Sequence, residues 1–508
     1  MSGDRSRPAW PLSLAMVAVV AFWAVAVLPA VTLPMTDPDT WWHIRAGQDI
    51  LRDGVIPSTD TWSIAGAGRS WTSQDWLSNV ILALGFGIGP LGATLLSVLY
   101  GLIGLASISM LWNAIHVRRP TVGWLAPAAW LLLGLILAAP VLGVRVQVVD
   151  LFFTAAVVNV LWRYLAYRRT RTLVLLPIIA MAWVNLHAGF PMLFLLSGAV
   201  VAGEASDRWL RRDPDGDPLR WRELGWLAGT TAAAAIALVL NPNGAAIYRY
   251  PFDTLAIGAL SSFVGEWQPA RLGAPAGQLL AAFVVVGLLP TLLLAGRRLR
   301  IGDGLILVGL TFMAVTAVRF LLITGPVGCA VVCVALAPVI SASQLGRSSA
   351  RLMTRLARAR RGGERVIVGA LIAVLLALGL GLTALRVSPP GQEAAVAEAY
   401  PVRAVDWLED HEVGSRIFNR FEWGGYLGLR LPQRPIFIDG RADIYGNEII
   451  LAYVDAISVT GDPQELFDQH RIDHVLYPAD STLGQWLAAS PSWEEVYSDE
   501  VASVWASR

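Results

Sequence analysis

Residues 12–45 read LSLAMVAVVAFWAVAVLPAVTLPMTDPDTWWHIR. The stretch 12–33 carries no charge and has the length, about 20 residues, that crosses the hydrocarbon of a bilayer. Arg5 and Arg7 precede it, so a signal peptide is the competing reading. The run is longer than a signal core and no small-residue cleavage site follows, which favours an uncleaved first spanning helix. The rest of the chain repeats the pattern. Of its 508 residues 55% are hydrophobic and 15% charged, and the mean hydropathy is +0.55. A soluble domain carries about 25% charge, so lipid must solvate most of this chain. Further apolar runs fall near 90–113, 121–141, 147–166, 172–187, 189–206, 223–241, 278–296, 303–319, 320–342 and 365–386.

These runs predict a polytopic α-helical membrane protein with about eleven spanning helices. Cytoplasmic loops are expected to be rich in arginine, which tests the whole set at once. With the N-terminus inside, every second connection should be basic. The sequence alternates in that way: Arg118 and Arg119; Arg163 to Arg171; Arg208 to Arg222; Arg297 to Arg300; and the cluster from Arg347 to Arg365. Eleven crossings place everything after about residue 387 outside the cytoplasm. All basic residues are arginine, with no lysine in the chain, so a catalytic lysine is excluded. That usage suggests a GC-rich bacterial genome, hence a multi-pass protein of the plasma membrane. The net charge of +1 is spread over short loops, and no nucleic-acid partner is expected. Cys329 and Cys333 lie four apart in an apolar run and read as packing residues rather than a disulfide or metal framework.

Past the last run the composition changes. VSPPGQEAAVAEAY, covering 387–400, reads as a linker, and 401–508 reads as a small C-terminal extracytoplasmic α/β domain. AVAEAYPVRAVDWLEDH, from the end of the linker into this domain, predicts an amphipathic helix, and RIFN, RPIFID and DHVLYP predict strands. GNEIILAYVDAIS predicts a helix, and the end a helix plus strands. Residues 1–386 form the transmembrane domain, with 34–89 as its first external loop.

That loop is where chemistry concentrates. Asp37, Asp39, Trp41, Trp42, His43, Arg45 and Asp49 fall within thirteen residues. In HIRAGQDILRDG the apolar spacing is helical, so Asp39 sits at or near a helix N-terminus with Gly54 as the stop. A carboxylate there caps a helix, and Trp41 and Trp42 suit the headgroup level as anchors. The same Asp37, Asp39 and His43 suit convergence on a divalent metal or a substrate proton. Elsewhere, Arg145 and Gln147 fall at the outer ends of two spans, where a guanidinium suits a lipid phosphate. Asn185 and His187 fall at an outer turn, facing a cavity or bonding between helices. Tyr248, Arg249, Tyr250, Glu266 and Trp267 fall in a large outer loop, and Arg319 lies near the same level. Asp439, Arg441 and Asp443 read as a turn after a strand or as substrate contacts.

DPDTWWHIRAG followed by GVIPSTDTWS resembles the first external loop of the catalytic subunit of oligosaccharyltransferase, particularly its archaeal forms. Asp39, Trp41, Trp42, Arg45, Gly54 and Asp60 fall where that family has its acid, aromatics, arginine, glycine and second acid. RIFNRFEWGGYLGLRLPQRPIFIDGRADIYGN resembles the outer-domain signature, with Glu422, Trp423, Gly424 and Tyr426 in its place. The wider family is that of C-type glycosyltransferases, which use polyprenyl-phosphate sugars as donors on the outer face. The resemblance implies that Asp39 acts as general base or ligates a cation such as Mg or Mn, supported by Asp37 and His43. It implies that Arg145, Arg249 and Arg319 neutralise the leaving phosphate, and that Arg45, Glu266, Trp423 and Tyr426 contact substrate. Membrane lipid and the polyprenyl-phosphate sugar are the implied partners, and the acceptor is unknown. Three features depart from the pattern: Asp150 stands alone where the family has an acidic pair, FEWGGY lacks the Trp-Trp-Asp of the peptide reader, and eleven crossings are fewer than the family's usual number. Asparagine glycosylation is therefore not expected. The rival expectations are a transporter or flippase for a lipid-linked solute, which needs polar sites at mid-membrane, and a non-catalytic scaffold.

Overall fold

The computed structural model describes residues 14–212, 217–342, 363–411 and 416–508. Arg5, Arg7 and the arginine-rich stretch up to residue 362 lie outside these residues. Among the described residues six helices are long and apolar enough to cross a membrane: Gly92–Arg118, Val148–Tyr167, Trp221–Leu240, Pro275–Ala295, Val318–Ser341 and Val366–Val387. Shorter apolar helices cover Met16–Val31, Trp76–Phe86, Leu125–Val141, Thr170–Leu186 and Ile301–Thr316, and Pro191–Trp209 is helical as well. Every expected run therefore coincides with a helix. Trp76–Phe86 is an additional apolar helix at the end of the first loop, too short to have stood out as a span. The chain is a multi-pass membrane protein.

Helix irregularities have local causes. In Val318–Ser341 the stretch Thr324–Gly328 widens to a π-turn, because Pro326 lacks the N–H that the α-ladder needs. The widening sits where two helices cross closely. A Cβ on Gly134 would lie 2.7 Å from the Gly325 carbonyl oxygen, so only small residues permit this contact. At the end where the arginine-rich connections lie, ion pairs tie separate segments together, Arg118 to Asp303 at 2.9 Å and Arg300 to Glu204, and Arg212 folds back on Asp207 of the preceding helix at 2.7 Å.

The C-terminal part is a four-stranded sheet, β1 (Ile417–Asn419), β2 (His474–Tyr477), β3 (Trp493–Ser498) and β4 (Ser503–Ser507). Its order is β1-β2-β4-β3. The first pair is parallel and the others antiparallel, with helices Ala442–Ser458, Pro463–His470 and Thr482–Ala489 around it. Three expectations change here. Residues 387–400 are no loose linker: Pro389–Ala399 is helical, and Gln392 donates to Ser97 at 2.7 Å and accepts from the Met35 amide at 2.9 Å. The amphipathic helix is broken at Tyr400 and Pro401 and resumes at Val402–Asp410, since proline disfavours helical backbone before it. RPIFID forms only isolated bridges, from Ile436 to Ile417 and to Ser63.

That last bridge matters for the site. Ile64 N–H donates to the Ile436 carbonyl at 2.7 Å and Ala65 N–H to that of Phe437 at 3.2 Å, so the first loop is stitched to the C-terminal domain. Trp41 and Trp42 are not headgroup anchors. They are only 4% and 8% exposed, Trp41 packed edge-on against Tyr400 and Tyr426 at 5.4 and 5.1 Å. Protein surface covers these rings because the domain folds down onto the loop and offers them a drier environment than the interface does.

Candidate active site

The loop helix Pro38–Asp53 positions the first acids. Asp37, extended and just outside it, is the N-cap: its carboxylate accepts from the Asp39 amide at 3.1 Å, a contact that stabilises a helix by about 1 kcal/mol. Capping thus belongs to Asp37, which leaves Asp39, in the first turn, free to face outward. Gly54 ends the helix in the left-handed region, at φ 69°. Asp39 accepts from the Trp42 indole N–H at 3.1 Å, and Trp42 is stacked on His43 with ring centroids 3.5 Å apart. His43 bonds Asn79 at 2.6 Å. It therefore acts on Asp39 through Trp42.

Asp39, His43, Arg145, Glu266 and Arg319 line one cavity of about 330 Å³. Its walls come from the first loop, the turns around Arg145 and His187, the loop near Tyr250 and Glu266, and the Gly440–Asp443 turn of the C-terminal domain. Segments that alternate in sequence with the basic connections meet at this one end. Arg145 donates to Gln147 at 3.1 Å and to Glu266, and its Nε lies 3.4 Å from Asp37. Arg319 lies 3.9 Å from the other Glu266 oxygen and covers the Trp267 ring at 4.2 Å. Glu266 is thus the internal counter-ion of two cations.

Electrostatics separates the acids. Burial pushes the Asp37 carboxyl up to about 7 against the pull of Arg145, with Asp39 and Glu266 adding to the rise. Burial and the charge of Glu266 raise Asp39 to about 6, opposed by Arg145. Burial opposes ionisation of Glu266 too, but Arg145 and Arg319 outweigh it and hold its carboxyl below the usual value. His43 is driven down to about 4 by burial, despite Asp75, so it is a neutral imidazole at pH 7.

Other expected residues fall elsewhere. Arg249 is 82% exposed and faces Asp253 at 3.7 Å, away from the cavity, because the turn Gly244–Tyr248 aims it at solvent. Arg45 bonds the carbonyls of Gly428 and Pro432 and covers Trp62 at 4.7 Å, bracing the domain. Trp423 and Tyr426 are each 3% exposed in the aromatic cluster behind the loop helix, as packing demands of rings at a domain junction. The substrate contacts implied for these four residues are not supported by their positions. The cavity is also lined by Asp150, His187, Arg441 and Asp443, for which the sequence leaves a structural and a substrate-facing reading open. Asp150 accepts from Trp183 and bonds His187, both at 2.7 Å, joining a lone acid to a histidine at the turn between two helices. Arg441 is buried, bonded to Asp439 at 2.7 Å and within 2.9 Å of Asp60, and stacked between Trp62 and Trp71 at 4.1 and 4.7 Å. Gly440 is where the domain touches Asp39: a Cβ there would lie 2.0 Å from the Asp39 Oδ1.

No group of three or more His, Cys, Asp or Glu side chains converges as a metal-ligand set among the described residues. The acids nearest Asp39 are engaged, Asp37 by the helix cap and Arg145, Glu266 by two guanidiniums. The donor set does not fit the divalent cation expected at Asp39.

No protein-family model matches the chain, and no curated protein matches it. Among solved structures, the crystal structure of the Archaeoglobus fulgidus oligosaccharyltransferase in the apo form superposes with a TM-score of 0.53 at 13% identity, over 94% of this chain and 70% of that one. The crystal structure of ArnT from Cupriavidus metallidurans in the apo state superposes with a TM-score of 0.50 at 15% identity, over 97% of both chains. At such identities the likeness is one of fold, and it covers nearly the whole of this chain.

Proposed function

We propose that this chain is a C-type membrane glycosyltransferase that moves a sugar from a polyprenyl-phosphate donor to an acceptor hydroxyl on the outer face of the membrane. The observation that carries the reading is that Asp39, with its carboxyl lifted to about 6, opens on the same cavity as Arg145 and Arg319. An acid near neutrality is matched to take a proton at physiological pH, and paired guanidiniums suit a phosphate that gains charge as it leaves. Asp39 removes the acceptor proton, the acceptor oxygen forms its bond to the anomeric carbon, and the bond to the phosphate oxygen breaks. Arg145 and Arg319 take the new negative charge, displacing Glu266 as their counter-ion. Trp42, backed by neutral His43, fixes the Asp39 carboxylate. No step passes through a metal ion.

In this reading all eleven apolar runs cross the membrane. The N-terminus is cytoplasmic, and the cavity and C-terminal domain are on the outer side of a bacterial plasma membrane. The convergence of the alternate connections at the cavity supports that orientation. The test is transfer of labelled sugar from a polyprenyl-phosphate donor pool in membranes holding equal amounts of the wild-type chain or Asp39→Asn. Loss of about 10² to 10⁴ in rate is expected for removing a general base. Equal transfer by both removes Asp39 as the base, and no transfer by either removes the transferase.

A further inference from the structure

The Gly440–Asp443 turn of the C-terminal domain reaches into the cavity, and the proposed chemistry leaves its last residue without a task. Every other acid of the cavity has a close partner. Asp39 has the Trp42 N–H, Asp150 has Trp183 and His187, Asp75 faces His43 at 3.4 Å, and Glu266 has two arginines. Asp443 differs. Its carboxylate lines the cavity, and its hydrogen bond to another side chain is a long one, from the Tyr250 hydroxyl at 3.5 Å. The guanidinium of neighbouring Arg441 is directed to Asp439 and Asp60. A carboxylate offers about four acceptor positions, and this one, half-buried at the cavity wall, keeps capacity for a ligand in the cavity.

We infer that Asp443, with the Tyr250 hydroxyl beside it, is a hydroxyl-reading corner that binds a vicinal diol of a sugar ring. Two adjacent ring hydroxyls present two donors at a separation that one carboxylate accepts together, and the phenol supplies a third polar contact. The corner is built firmly. Arg441 is clamped by two carboxylates and two indole rings, and so fixes the turn that carries Asp443. A site built to bond hydroxyls rejects analogues that lack them, because its own groups are then left unpaired. The state of the acid fits a neutral partner: burial raises Asp443 to about 6, with Arg441 opposing. A hydroxyl can pair with either protonation form, whereas an ammonium needs the ionised one.

The inference rests on the proposed transferase only in taking the ring to be that of the donor. A donor whose phosphate sits at Arg145 brings its sugar into the same cavity, one bond away. The C-terminal domain would then choose the sugar, while the first loop carries out the transfer.

The experiment is saturation-transfer NMR on the purified full chain in detergent. The probes are methyl glycosides of glucose, mannose, galactose and arabinose, with ethanolamine as the cationic comparison. At least one glycoside is expected to bind the wild type. Asp443→Ala should weaken it tenfold or more, Tyr250→Phe by a few fold, and the near-isosteric Asp443→Asn by an intermediate amount. Asp443→Asn guards against misfolding of the alanine variant. Binding of no glycoside, binding indifferent to both Asp443 variants, or preference for ethanolamine would overturn the inference. The readout needs no catalysis. Asp443-dependent glycoside binding without sugar transfer would remove the transferase and leave the corner; Asp39-dependent transfer with Asp443-independent binding would do the reverse.

Discussion

Gly440→Ala puts the relation between the C-terminal domain and the proposed general base, Asp39, to its hardest test. The added methyl would lie 2.0 Å from the Asp39 Oδ1 and 3.0 Å from the Trp42 Nε1, whereas ordinary contact begins near 3.4 Å. Something must move by about 1.4 Å. The cheapest movement is rotation of the Asp39 carboxylate, the free end of a side chain, away from the turn and off the Trp42 N–H. The fold should therefore survive with an overpacking cost of about 1–3 kcal/mol, while the base is displaced by more than an ångström. Misplacement on that scale costs about 10²-fold in rate, or about 3 kcal/mol of barrier. The assay is initial transfer rate from the polyprenyl-phosphate donor, per folded protein. Gly461→Ala is the matched control, since a Cβ there meets nothing within 4 Å. A wild-type rate in Gly440→Ala would refute both the closeness of the turn to Asp39 and the catalytic use of that carboxylate.

The pH profile follows from the raised Asp39. A base must be ionised, so kcat/KM should fall with unit slope below pH about 6 and level off above it; a flat profile from pH 5 to 8 would exclude Asp39 as the base. Stability should run the other way. The folded-state values of Asp37 and Asp39 are raised to about 7 and about 6 from 3.8, so their contribution is full below pH about 4 and is lost as pH rises through 6 to 7; thermal melts in detergent that improve across that window would contradict it. Arg145→Lys keeps the charge but cannot reach Gln147, Glu266 and Asp37 with one rigid fork, so donor KM should rise about tenfold with kcat less affected. Arg145→Ala also strands Asp37 and Glu266, and should lower stability by about 3 kcal/mol in chemical denaturation; a melt unchanged from wild type would refute the pairing.

Hydropathy was enough to place the helices. Each span must satisfy its backbone internally and present an apolar surface to lipid, and that requirement is written locally. The loop helix was equally legible, because the Asp-Pro-Asp start and the Gly54 stop act within a few residues of themselves. The choice between Asp37 and Asp39 as the cap was not, since it depends on which carboxylate turns back to an amide.

What residue order alone determined, then, is the multi-pass architecture, the C-terminal α/β unit, and a short list of polar residues at one level that included Asp39, Arg145, Glu266 and Arg319. Tertiary structure decided which of them meet. Trp41, Trp423 and Tyr426 went to a domain junction because large rings are best covered by one another, and Arg249 went to solvent on a short turn. Asp150 met His187 across 37 residues, and Arg441 met Asp60 across most of the chain. Side-chain type and spacing fix what a residue can do within a helical turn or two; whether two residues hundreds of positions apart share a cavity is set by the packing of elements between them.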